Sequence, residues 1–127
     1  MNLNQVTLAI TDLDRSIEFY KKLGLNLIVC SGNPYARFEL PNGTTTLSLH
    51  VVDGAPPAGA VQLYFEVPDV AARVRELEQA GIVFETQSTD QRWLWTEAWF
   101  RDPDGHRLCI FYAGENRKNP PWRLENS

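Results

Sequence analysis

Val6, Leu8 and Ile10 alternate with Gln5, Thr7 and Ala9, the period of two expected of a half-buried strand. Asp12 follows, ahead of Leu13, Ile17 and Tyr20, which share one face at helical spacing. A carboxylate at that position accepts from the free amides of a first helical turn, and Gly24 supplies the stop. Leu25 to Cys30 is apolar, Ser31-Gly32-Asn33-Pro34 forms a turn, and Tyr35 to Leu40 alternates again. Pro41-Asn42-Gly43 signals a hairpin into Thr44 to Val52, so the first half reads β-α-β-β-β.

Residues 53–60, with Gly54, Pro56, Pro57 and Gly59, read as a hinge. The same order is expected after it: a strand at Val61 to Val67, a helix capped by Asp69 and closed by Gly81, and a strand at Ile82 to Gln87. A long strand at Arg92 to Arg101, the turn Asp102-Pro103-Asp104-Gly105 and a last strand to about Tyr112 complete it. Residues 113–127 are polar, contain Pro120-Pro121, and read as an irregular tail that Trp122 and Leu124 could dock. The second half copies the first at a shift of 57: Gln5 falls on Gln62, Asp12 on Asp69, Gly24 on Gly81, and Leu13, Ile17 and Tyr20 on Val70, Val74 and Leu77. An internal repeat of this length predicts an α+β fold of two tandem βαβββ modules, over about 3–52 and 61–112, related by a pseudo-twofold axis.

Strand parity divides the faces. The aliphatic sets Val6/Leu8/Ile10, Leu47/Leu49/Val51, Val61/Leu63/Phe65/Val67, Leu94/Ala98/Phe100 and Leu108/Ile110/Tyr112 are expected under helices. The opposite parity carries Gln5, Thr7, Tyr35, Arg37, Glu39, Thr46, Ser48, His50, Gln62, Tyr64, Glu66, Trp93, Trp95, Glu97, Trp99, Cys109 and Phe111. Polar and aromatic groups mixed on one face suit a pocket that orients a small, aromatic or partly apolar ligand.

At 127 residues the chain can bury a sufficient core without staples. A net charge of -4 with no basic stripe argues against nucleic acid, and no apolar run reaches the roughly 20 residues of a spanning helix. Cys30 and Cys109 lack metal-type or redox-type spacing, and the N-terminal residues lack a targeting pattern, so a cytoplasmic protein with free thiols is expected.

Ile10-Thr11-Asp12-Leu13-Asp14-Arg15-Ser16 with Phe19-Tyr20 and Leu23-Gly24, then Glu66-Val67-Pro68-Asp69 and Asp102-Pro103-Asp104-Gly105, resemble the glyoxalase / bleomycin-resistance / extradiol-dioxygenase group, the vicinal oxygen chelate superfamily. The resemblance covers about residues 3 to 112 and implies sheets curled into a cup with helices outside, commonly completed by a second subunit. It also implies four metal-ligand positions, one on the first and last strand of each module. By position these are Gln5, Ser48 (or its neighbour His50), Gln62 and Cys109. Two amides, a hydroxyl and a lone thiol suit a hard divalent ion poorly, so no metal and no other cofactor is expected.

Several residues admit two readings. His50 is a general base or metal ligand beside Glu97 or Glu39, or a polar residue at a strand end. Trp93, Trp95 and Trp99, taken as alternate positions of one strand, are a pocket wall or an interface. Glu97 pairs with Arg37 or Arg101, or meets a cationic ligand. His106 is expected in solvent and Cys109 as a buried, inert thiol. The expectation is a metal-free, homodimeric small-molecule binding or sequestration protein; the alternative is a lyase, isomerase or dioxygenase-like enzyme using His50 and Glu97.

Overall fold

A computed structural model of the chain describes residues 1–124. It contains two compact units, each an α+β module with one four-stranded mixed sheet.

The first unit comprises Met1–Ala60 together with Asp102–His106. Its elements are β1 (Gln5–Ile10), α1 (Leu13–Lys22), β2 (Asn26–Cys30), β3 (Tyr35–Glu39) and β4 (Thr46–Val51). The sheet order is β1-β4-β3-β2, with β1 parallel to β4 and the other pairs antiparallel. Asp12 caps α1 by accepting from the Arg15 amide at 3.1 Å, and Gly24 leaves the helix at φ 92°, a conformation only glycine adopts cheaply. Leu13, Ile17 and Tyr20 are buried, as are Leu8, Ile10, Phe38, Leu47 and Leu49. Side chains of this size contribute about 1.5–3 kcal/mol each when fully buried.

The Asp-Pro-Asp-Gly turn belongs to this unit. The Tyr20 hydroxyl donates to Asp102 Oδ2 at 2.7 Å, while Asp102 Oδ1 accepts from the amides of Asp104 and His106. Asp104 in turn accepts from the Thr11 hydroxyl at 2.6 Å. His106, expected in solvent, is instead buried, with Nε2 2.7 Å from the Ala9 carbonyl. The hydrogen bond its backbone N–H donates to Asp102 Oδ1 fixes the residue inside the turn.

The second unit comprises Val61–Arg101 and the chain from Arg107 onward. It holds β5 (Gln62–Glu66), α2 (Val70–Gln79), β6 (Thr89–Asp90), β7 (Thr96–Arg101) and β8 (Arg107–Tyr112), in sheet order β5-β8-β7-β6. Asp69 caps α2 through the Ala72 amide at 3.0 Å. Val70, Val74, Leu77, Ala98, Phe100, Leu108 and Ile110 are buried.

Two expected strands differ. Residues 82–87 form no ladder beyond a single bridge from Phe84 to Phe100. The amides of Glu85 and Thr86 both turn to one carbonyl, that of Trp99, which breaks the regular alternation. The strand expected from Arg92 begins only at Thr96. Gln91 donates to the Trp95 carbonyl at 2.7 Å, Leu94 donates back to Gln91 at 3.0 Å, and Leu94 has φ 68°. That is a three-residue hairpin loop closed by a left-handed residue, a place usually taken by glycine. Past β8, the tail opens with a 3₁₀ turn at Gly114–Arg117, tied down by Glu66 Oε2, which accepts from the amides of Ala113 and Gly114 at 2.8 and 2.9 Å. Trp122 and Leu124 are exposed.

Candidate functional site

In the first unit, ladder register puts the residues of one sheet face side by side. Gln5 lies opposite Thr46, Ser48 opposite both Thr7 and Arg37, and His50 opposite Tyr35. A polar relay joins three of them. The Tyr35 hydroxyl is 2.6 Å from Ser48 Oγ and accepts from Arg37 Nε at 3.0 Å, with the Arg37 guanidinium 5.4 Å from the Tyr35 ring centre. The hydrogen bond to Ser48, with help from Arg37, holds the Tyr35 phenol below its ordinary range. Gln5 Oε1 accepts from the Thr46 hydroxyl at 2.9 Å, and Glu39 accepts from Asn26. His50 is exposed, and its side chain joins no hydrogen bond or ion pair among the described residues.

The second unit presents a different face. Register aligns Gln62 with Arg107, Tyr64 with Cys109, Glu66 with Phe111, Glu97 with Phe111 and Trp99 with Cys109. The Tyr64 ring stands edge-on to Trp95, Trp99 and Phe111 at centroid distances of 5.8, 5.3 and 5.5 Å. Trp95 stacks on Phe111 at 4.9 Å. Such pairs add about 0.5–1.5 kcal/mol each beyond area burial, so the rings make a stiff wall. Tyr64 stays 42% exposed and Trp93 40%, which leaves aromatic surface on that wall open to a partner molecule.

Glu97 is 4% exposed, and no ion pair to it is found among the described residues. Its Oε2 accepts from Trp93 Nε1 at 2.8 Å and its Oε1 from Trp99 Nε1 at 3.0 Å. Arg101 Nε bonds Glu85 instead, and Arg37 Nε bonds Tyr35. Two indole donors satisfy the carboxylate without a cation, which explains how a buried charge is tolerated there. Burial, and next the charge of Glu97, raise the phenol of Tyr64 and push the Cys109 thiol up to about 12.

Parity therefore placed Trp95, Glu97, Trp99 and Cys109 on one face, but Trp93 reaches Glu97 from the hairpin loop and not from a strand. Tyr64 and Phe111 shared that parity and were not singled out, although they are central to the wall. Arg107 was missed. Its guanidinium lies 4.2 Å over the Trp99 ring, and the signal available was its position two residues before Cys109 on the same strand face.

The four positions at which the resemblance implies metal ligands carry donors that suit a divalent ion poorly. The Gln5 and Gln62 oxygens already accept from Thr46 and Tyr64, Ser48 is held by Tyr35, and Cys109 is a buried thiol that keeps its proton at neutral pH. Among the described residues no group of three or more His, Cys, Asp or Glu side chains could hold a metal ion. No helix among them is long and apolar enough to cross a membrane.

Comparison with known proteins is consistent with this fold. The model of the Glyoxalase/Bleomycin resistance protein/Dioxygenase superfamily matches residues 2–110. The chain is 32% identical to the trivalent organoarsenical cleaving enzyme of Bacillus sp. (strain MD1), over 95% of this chain and 81% of that protein. It is 33% identical to the uncharacterized protein YraH of Bacillus subtilis (strain 168), over 88% and 98%. A glyoxalase/bleomycin resistance protein/dioxygenase crystal structure from Nocardioides superposes with a TM-score of 0.81 at 23% identity, covering 98% of this chain and 90% of that one. With two βαβββ modules and a family match across both, the chain belongs to the glyoxalase/bleomycin resistance protein/dioxygenase superfamily.

Proposed function

We propose that this protein binds or sequesters a small molecule with an aromatic or partly apolar body, and does so without a metal. The observation that carries the reading is the half-exposed Tyr64 ring, set edge-on among Trp95, Trp99 and Phe111 on the sheet face opposite the aliphatic core. Aromatic side chains already locked by their neighbours lose little freedom when a ligand stacks on them, which favours affinity. Gln62, at the edge of the wall, is the polar group we assign to orienting the ligand. A homodimer in the cytoplasm remains part of the same proposal, and sedimentation at micromolar concentration tests the assembly.

An enzymatic role through His50 and Glu97 has less support, because both Glu97 oxygens are occupied by indoles. Nor does the activity named for the Bacillus sp. relative transfer readily. Trivalent arsenic is held best by paired thiols, and the two thiols here are Cys30, exposed in the first unit, and Cys109, buried in the second with almost no thiolate at neutral pH. The test is calorimetric titration of chelator-treated protein with zinc, nickel and manganese, alongside a tryptophan-fluorescence screen of planar aromatic compounds. Stoichiometric binding of any of these ions, lost in His50→Ala, contradicts the proposal; quenching by an aromatic compound with chelator present supports it.

A further inference from the structure

The Arg107 side chain is held in place yet has no hydrogen-bonding partner among the described residues. Its guanidinium covers the Trp99 ring at 4.2 Å, its Nε is buried with no acceptor in reach, and no ion pair among the described residues engages it. A buried donor left unpaired is uncommon in folded proteins and calls for a reason. Glu97, on the adjoining strand opposite Phe111, spends both oxygens on Trp93 and Trp99. Trp99 thus donates its N–H to an anion while its ring face takes a cation. Donation to a carboxylate makes the indole more electron-rich and strengthens its hold on the guanidinium. The arginine is oriented by this stack, and its Nη groups have no partner among the described residues.

Beside it in the ladder stands Gln62. The Gln62 oxygen accepts from the Tyr64 hydroxyl at 3.3 Å, which leaves the amide nitrogen as a second donor next to Arg107. Charge, two sets of donors and an adjoining aromatic ring occur on one short stretch of β5 and β8.

We propose that the ligand of the second unit carries a carboxylate, bound end-on by the Nη groups of Arg107 with the Gln62 amide, while its aromatic body lies against Tyr64. This rests on the small-molecule reading above and adds the charge and placement of the ligand. A guanidinium matches a planar carboxylate by two parallel hydrogen bonds, and these strengthen where the arginine is already immobilised.

Three isosteric probes test it: 2-naphthoate, 2-naphthamide and 2-naphthylmethylammonium, titrated calorimetrically into the full chain with chelator present. The expected order is naphthoate tightest, by about tenfold over the neutral amide, since charge-assisted hydrogen bonds exceed neutral ones by roughly that much. Arg107→Gln should abolish this preference, bringing naphthoate and naphthamide to within about twofold of each other, and Arg107→Lys should restore only part of it. Equal affinity for naphthoate and naphthamide overturns the inference but leaves the aromatic pocket standing. Tightest binding of the ammonium overturns it in favour of Glu97 as the anchor. Failure of all three to bind at millimolar concentration overturns the small-molecule reading itself.

Discussion

Trp93 Nε1 donates to Glu97 Oε2 at 2.8 Å, from a hairpin loop to the strand that follows it. With Trp99 on the other oxygen, the carboxylate clamps the loop to the sheet. Glu97→Gln keeps the volume but turns an NH₂ group toward one of the indoles. The cost expected is about 1–3 kcal/mol, the range for a buried donor losing a charged acceptor. Urea unfolding of the two proteins measures it, and unchanged stability would mean that the indoles find other acceptors.

The loop carries its own strain at Leu94, which has φ 68° and is 48% exposed. A left-handed conformation costs a residue with a Cβ about 1–2 kcal/mol, partly offset by the greater unfolded-state freedom of glycine. Leu94→Gly should therefore be neutral or stabilising by up to about 1 kcal/mol. Thermal unfolding reads the change; a loss larger than that would show that the leucine side chain is packed in a way its exposure does not suggest.

Alkaline pH should weaken the fold through Cys109. Its ordinary value is 9.0 and burial takes it to about 12, so the folded state holds the proton that the unfolded state releases. Below about pH 9 both states are protonated and this group adds no pH dependence; between there and about 12 stability falls, by at most about 1.4 kcal/mol per pH unit. Tyr20, raised by burial and then by Asp102, acts with the same sign above its ordinary 10.0. Comparing urea unfolding at about pH 8 and about pH 10.5 should show a shallower decline for Cys109→Ala than for the parent. Equal declines would place the thiol in an ordinary environment. Exposed Cys30 should react with a thiol reagent under native conditions well before Cys109 does.

Tyr35 should ionise below the usual phenol range, because Ser48 and Arg37 both favour its phenolate. Ser48→Ala removes the larger of these influences and should move that titration upward. Ultraviolet difference titration, with Tyr35→Phe to assign the component, follows it directly. No movement would mean that the Ser48 hydroxyl does not donate to Tyr35.

Much of the fold was legible because local chemistry and pattern agree. Asp12 and Asp69 cap, Gly24 and Gly81 stop, and Val6/Leu8/Ile10 and Leu108/Ile110 alternate as the β-α-β-β-β repeat requires. The hairpin at 91–95 was not legible, since Trp93, Leu94 and Trp95 all favour strands and nothing in a leucine announces a left-handed turn. The candidate site was half legible. Parity gathered its residues by face, but periodicity carries no information on partners: it did not reveal that Glu97 would choose indoles over arginines, that Arg107 would stack on Trp99, or that His106 would turn inward.

The central claim is that the indoles near Glu97 belong to a binding surface that needs no metal. The four tryptophans give four indole N–H resonances, one of them from Trp122, exposed in the tail and outside the proposed surface. Titrating ¹⁵N-labelled, chelator-treated protein with an aromatic compound that quenches its fluorescence should shift the Trp95 and Trp99 indole signals, assigned by substitution, and leave Trp122 in place. Signals that stay fixed, or that move only once a divalent ion is added, would contradict it.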